Sequence, residues 1–306
     1  MKQNFKPITG TFLDGIACDI PSNNWTPEVW DREFARYARD GVTEAVIIRV
    51  GWKDSAMYRS EVMKPVLAPE LDMVKLFLDL GQKYGVHIYM GLFDTLKYWW
   101  VGDWESEVAV NCDLIDELRA RYETHPAFYG WYMSHEGPMV RNQTEIRICK
   151  ALAAKIRTFD KERPILMSPG YDGAKHHPEN PVPAFLHHKN LRETLKFFEG
   201  LIDIIAPMDG HVHFRELEEY MAGTAEILQE GGVRHWSNLE TFDRDMPWRF
   251  PPIEFAKLMF KLELAQKYTE RIISFELPHF MSPDSMFPSA RELYKRYHAW
   301  LDAMGK

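Results

Sequence analysis

Eight short apolar stretches run through the chain, each followed by a stretch with one apolar face at helical spacing. The first, Thr11–Ile20, leads to the turn cluster Pro21-Ser22-Asn23-Asn24. Thr26-Pro27-Glu28 then supplies the cap, the proline at the first helical position and the acid that open a helix, and Gly41 suits its end. Glu44–Trp52 (EAVIIRVGW) and Val86–Asp94 (VHIYMGLFD) predict the second and third strands, with a helix over 69–84 between them carried by Leu71, Val74 and Leu78. The remaining strands are predicted at Ala127–Glu136, Pro164–Pro169, Ile202–Asp209, Arg234–Glu240 and Arg271–Glu276. Helices are expected at 108–122, 144–159, 191–199, 216–229, 251–268 and 289–301.

Strands that are apolar throughout belong to parallel sheets buried on both faces. Strand–helix alternation every roughly 30 to 40 residues predicts one α/β domain over 1–306, a single (β/α)₈ TIM barrel. An open doubly wound sheet is the rival, but no glycine-rich phosphate loop follows the first strand. Long loops at the top of the barrel are expected at about 53–68, 95–107 and 170–190, the last holding His176-His177 and His187-His188, read as solvated.

With 306 residues, 45% of them hydrophobic, the chain has ample material for a core. Its net charge of −8 and the lack of any dense Lys/Arg block argue against nucleic-acid or anionic-membrane partners. No apolar run is long enough to span a bilayer, and Met1–Asn4 leads into polar sequence, so a cytoplasmic protein is expected, or a secreted one if a signal peptide was removed. Cys18, Cys112 and Cys149 are far apart, lack metal-ligand spacing and read as small buried hydrophobes. Nothing in composition or length speaks to oligomeric state.

The chemistry gathers at the strand ends. Asp19 ends the first strand, Arg49 and Trp52 the second, Asp94 the third, His135 and Glu136 the fourth. Beyond the fifth come Ser168 and Tyr171; the sixth carries Asp209 and His211, the seventh Asn238 and Glu240, the eighth Glu276 and His279. Catalytic groups of this fold sit at the C-terminal ends of the strands. Glu136 and Glu240 close the fourth and seventh strands, roughly across the mouth, where two carboxyls can bracket a sugar. Retaining glycosidases hold such a pair ~5–5.5 Å apart, one as acid/base and one as nucleophile. Tryptophans offer faces for sugar rings: Trp99 and Trp100 in a loop, Trp131 and Trp236 within strands, where core packing is the competing role.

With Glu at the ends of strands four and seven, the chain resembles the clan of retaining (β/α)₈ glycosidases. Its Gly130-Trp131-Tyr132 segment is similar to that of a bacterial group of uncharacterised glycosidase-like barrels. The resemblance implies Glu136 as acid/base, Glu240 as nucleophile and a carbohydrate substrate. No cofactor is expected, and since no ligand cluster has a diagnostic spacing, no metal. The clan usually has Asn immediately before the acid/base, binding the sugar 2-hydroxyl; His135 stands there and can donate the same hydrogen bond. Two other readings stay open. His211-Val212-His213 with Asp209, Glu136, Glu240 and Glu276 offers ligands for a divalent-metal isomerase, epimerase or phosphoesterase. A non-catalytic carbohydrate-binding barrel would need the aromatics but not the paired acids.

Overall fold

Eight parallel strands close on themselves. They are β1 (Gly10–Leu13), β2 (Glu44–Ile47), β3 (His87–Met90), β4 (Phe128–Met133), β5 (Ile165–Met167), β6 (Ile204–Ile205), β7 (Arg234–Glu240) and β8 (Arg271–Phe275). Sequential strands are neighbours, and β8 returns to β1 through Gly10↔Ile273 and Thr11↔Ser274. A long helix follows each strand: α1 (Pro27–Asp40), α2 (Met73–Tyr84), α3 (Trp104–Tyr122), α4 (Thr144–Arg157), α5 (Ala184–Phe197), α6 (Phe214–Glu230), α7 (Phe255–Tyr268) and α8 (Pro288–Met304). This computed structural model describes residues 5–16, 21–140, 143–175, 178–244 and 250–305. Among them, no helix is long and apolar enough to cross a membrane.

Side chains alternate across each strand, so the barrel has two cores. Phe12, Val46, Tyr89, Tyr132, Leu166, Ile204, Trp236 and Ile273 fill its interior, and a larger apolar layer packs the outer strand faces against the helices. Above the interior plug the inward positions turn polar. Ser134 Oγ donates to the Ile48 carbonyl (2.6 Å), Ser168 Oγ to that of Ala206 (2.8 Å), and Asn238 Nδ2 to Ser168 Oγ (2.9 Å). These groups tie strand ends together across the barrel interior, β4 to β2, β5 to β6 and β7 to β5, and form a floor for the mouth.

The wall is taller over β2 and β3. Arg49–Trp52 and Leu92–Asp94 continue those strands upward as a parallel pair, with Ser55–Ala56 antiparallel on the first. Helix starts and stops follow local chemistry. Asp72 Oδ1 accepts from Lys75 N (2.8 Å) to cap α2, and Gly41 and Gly85 end α1 and α2 at φ of 76° and 73°.

Two of the expected loops are shorter. Asp103 caps α3, so that helix includes Trp104. Helix α5 begins at Ala184, seven residues before the predicted start at Leu191, because Pro183 marks a helix entry and not a loop interior; its fixed φ and missing N–H cost nothing there. His187 and His188 are accordingly helical and not solvated. His187 is buried with Nδ1 3.4 Å from Asp172 Oδ2, and His188 lies half-buried with Nε2 3.3 Å from the Tyr220 carbonyl. His176 and His177 lie outside the described residues.

Candidate active site

Tyr132, Ser134 and Glu136 share the inward face at the end of β4. The Tyr132 hydroxyl donates to Glu136 Oε1. Burial drives the Glu136 carboxyl above the usual carboxylate range; Arg49 and the Tyr132 hydrogen bond oppose this, and the charge of Glu240 adds to it. The net direction is up, towards a carboxyl that keeps its proton.

Asn238 and Glu240 occupy the corresponding inward face of β7, but Glu240 is almost fully buried and closely held. Arg244 Nε donates to Oε2 (2.8 Å) and Arg244 Nη2 to Oε1 (2.7 Å). The Glu240 N–H donates to Asp209 Oδ1 (3.1 Å), and its carbonyl accepts from Lys261 Nζ (2.9 Å). Lys261 also pairs with Asp209 (2.7 Å). Burial opposes ionisation here too, yet Arg244, then Lys261 and His211, hold the carboxyl below its ordinary range. Asp209 is pushed up to about 6 by burial and by Glu240, against the pull of Lys261. Gly210 makes this packing possible: a Cβ there would lie 1.6 Å from Glu240 Oε2 and 2.7 Å from Arg244 Nε.

Arg49, half-buried on the taller wall, feels Asp14, Glu136 and Asp94, with Nη1 3.6 Å from Asp94 Oδ2. Asp94 Oδ1 accepts from Trp99 Nε1 (2.8 Å), and Trp100, 66% exposed, lies 5.0 Å from the Trp99 ring. Trp52 is paired in register with Asp94. The structure therefore brings Arg49, Trp52, Asp94, Trp99 and Trp100 together above β2 and β3. His211 is buried beside Gly170, within electrostatic reach of Glu240. Glu276, fully buried, accepts from the Asp14 N–H (3.1 Å). His279 is buried with its ring against Phe280 and Phe287.

Four predicted ligand-binding residues either face elsewhere or have their polar groups taken by neighbours. Trp131 lies in the helix-facing layer against Phe128 and Phe159, and its Nε1 donates to Asp160 (2.9 Å). Tyr171 is buried against His187 and Tyr220. The Asn238 amide is used at both ends, donating to Ser168 and accepting from the Phe275 N–H (3.1 Å). His135 is an odd-numbered neighbour of Glu136 on the strand and turns outward. It is buried, with Nε2 2.8 Å from Glu107 Oε1 of α3, and Glu107 also accepts from the Thr95 N–H (3.1 Å) and hydroxyl. Asp19 lies outside the described residues.

Among the described residues, ligand-capable atoms gather within 4.8 Å in Asp94, Glu107 and His135, not in the His211-Val212-His213 segment. Those two carboxylates already accept from Trp99, Leu96 and Thr95. Sequence reasoning does not single out Tyr132, Arg244, Lys261, Gly210, Asp14 or Glu107 as site residues. Tyr132 alone has a readable signal, two strand periods before Glu136.

A groove of about 380 Å³ opens on the β4 side, lined by Pro138, Gln143, Asp172, Asn180 and Val182 among others. A larger cavity of about 700 Å³ lies between the C-terminal ends of α5 and α6, among Phe198, Gly200, Gly231 and Arg234. It is at the opposite end of the barrel from both glutamates.

A family model described as "Domain of unknown function (DUF4434)" matches residues 8–287. No curated protein matches the chain. Among solved structures, one described as a "putative alpha-L-fucosidase" from Bacteroides thetaiotaomicron VPI-5482 is 35% identical, with 98% of this chain and 96% of that one covered, at a TM-score of 0.92. An intracellular xylanase from Thermoanaerobacterium saccharolyticum JW/SL-YS485, solved as a point mutant in complex with xylotriose, is 11% identical over 93% and 89% of the two chains, at 0.55. The endo-1,4-beta-D-mannanase from Thermotoga petrophila RKU-1 is 12% identical over 96% and 100%, at 0.56. The last two share the fold.

Proposed function

We propose, from the premise that the chain belongs to the DUF4434 family, that it is a retaining glycoside hydrolase with Glu240 as nucleophile and Glu136 as acid/base. The observation that carries this reading is the opposite setting of the two carboxyls: Glu136 is pushed towards the protonated form and Glu240 towards the charged one. Environments that drive two carboxyls apart are how one site supplies an acid and a nucleophile together. The description of the 35% identical structure as a "putative alpha-L-fucosidase" supports the class of reaction and makes L-fucosides the first substrates to try.

In the first step a Glu240 oxygen bonds to the anomeric carbon as the glycosidic C–O bond breaks, and the Glu136 proton passes to the departing oxygen. In the second, Glu136 takes a proton from water, whose oxygen displaces Glu240 and regenerates the carboxylate. Arg49, Asp94, His211, Glu276 and His279 are the proposed contacts to hydroxyls. Trp52, Trp99 and Trp100 are the proposed ring-stacking faces, and the segment between β5 and α5 is a proposed cleft wall.

The two roles separate by mutation. Glu240→Ala abolishes turnover of every substrate. Glu136→Ala keeps activity on an aryl glycoside whose leaving group needs no proton, and added azide rescues it with a glycosyl azide of retained configuration as product. Identical responses from the two variants would overturn the assignment of roles. Wild-type rates in both would remove the pair from catalysis.

A further inference from the structure

Two-glutamate chemistry needs a charged nucleophile, but it also needs a nucleophile oxygen that the sugar can reach. In this structure both Glu240 oxygens are engaged by one guanidinium, Nε to Oε2 at 2.8 Å and Nη2 to Oε1 at 2.7 Å. A bidentate fork of this kind fixes a carboxylate in orientation as well as charge. Arg244 is itself supported, with its guanidinium carbon 5.0 Å from the Phe242 ring centre and 5.6 Å from that of Phe250. Lys261, the other nearby cation, is directed to the Asp209 carboxylate and the Glu240 carbonyl. The two oxygens are not equivalent. Oε2 faces the Gly210 backbone so closely that a single added carbon would overlap it. Oε1 is the atom on the other side of the carboxylate.

We propose that Arg244 is the positioning residue of the nucleophile: it holds Glu240 through Oε2 throughout the reaction, and its Nη2 releases Oε1 to attack when the sugar arrives. This deepens, and rests on, the reading of Glu240 as nucleophile. The charge balance is unchanged by the release, because the Nε–Oε2 hydrogen bond and the cation remain in place. The groups facing Glu240 are Arg244 from the segment after β7, Asp209 and His211 from the segment after β6, Lys261 from α7 and Glu136 from β4. Lys175 and Asp243 line the small void behind it. Of the cations, Arg244 meets the carboxylate oxygens through hydrogen bonds, so its removal raises the proton affinity of Glu240 more than removal of any other does.

The experiment has a readout that needs no substrate. The Glu240 carboxyl is titrated by ¹³C NMR in the wild type, in Arg244→Gln and in Arg244→Lys, with Glu240→Gln used to assign the resonance. The expected result is a titration below the ordinary glutamate range in the wild type, at least tenfold higher proton affinity in Arg244→Gln, and partial recovery in Arg244→Lys. On whichever aryl glycoside the wild type hydrolyses, the acid limb of the kcat/KM profile moves up by the same amount, and the basic limb moves up by less, because the Arg244 charge also acts on Glu136 from farther away. An unmoved Glu240 titration in a folded Arg244 variant overturns the proposal. A moved titration with an unmoved acid limb instead overturns the nucleophile assignment beneath it. If Arg244→Gln does not fold, the lysine variant alone decides, since an ammonium keeps the charge but not the rigid planar fork that holds both oxygens at once.

Discussion

Glu136 and Glu240 end two strands of one barrel on matching inward faces, yet their surroundings have little in common. Glu136 is half-buried, meets a neutral phenol and lies two residues before Pro138, which lines an open groove. Glu240 is sealed, forked by an arginine and backed by a buried Lys–Asp pair. Burial disfavours charge at both. What separates them is the number of cations that reach the carboxyl, so residue type places an acid in the mouth and its neighbours decide what it does there.

The comparison breaks most completely if the tight side loses its fit. Gly210→Ala puts a methyl where Glu240 Oε2 now lies, and kcat/KM on an aryl glycoside should fall by about 100-fold, the scale of a 1 Å misplacement. A near-wild-type rate would show that the wall behind Glu240 yields.

A smaller change sharpens the open side. The Tyr132 hydrogen bond stabilises charged Glu136, so Tyr132→Phe raises its proton affinity further. In the proposed mechanism, activity falls at low pH as Glu240 gains a proton and at high pH as Glu136 loses one. The substitution should therefore move the basic limb to higher pH, leave the acid limb in place, and keep the maximal rate within about tenfold of wild type. A shifted acid limb would mean that the two roles are reversed.

The smallest expected effect is that of exhaustive chelation. The proposed mechanism gives both roles to carboxyls, so activity should be unchanged, and its loss with recovery on adding Mn²⁺, Mg²⁺ or Zn²⁺ would favour the metal-dependent alternative.

Much of this architecture is legible because periodicity and strand-end polarity are local properties. The runs EAVIIRVGW and VHIYMGLFD announce β2 and β3, and an acid closing an aromatic run just before Gly137-Pro138 announces Glu136. The partners of Glu240 are not legible. Lys261 sits mid-helix in α7, and nothing in its flanks shows that it is buried beneath the mouth. Arg244 belongs to an irregular segment where spacing carries no direction. Position alone assigns His135 to the mouth, whereas the strand's two-residue alternation turns it to α3 and Glu107. Pro181 and Pro183 look like punctuation inside a loop, and the second of them opens α5.

The backbone above the strands carries a final consequence. Parallel bridges join Pro138 to Gly170, Gly170 to Met208 and Met208 to Asn238, through Gly170 N–H to the Gly137 carbonyl (3.3 Å), Met208 to Pro169 (2.9 Å) and Asn238 to Pro207 (3.2 Å). This rung runs a step above the barrel proper, from the residue pair after Glu136 to the residue two before Glu240. The span between the glutamates is thus gauged like the jaws of a caliper, by hydrogen-bonded main chain and not by the loops overhead. Loops can be lengthened or exchanged without resetting the gauge, whereas one residue inserted between Met167 and Gly170 would reset it.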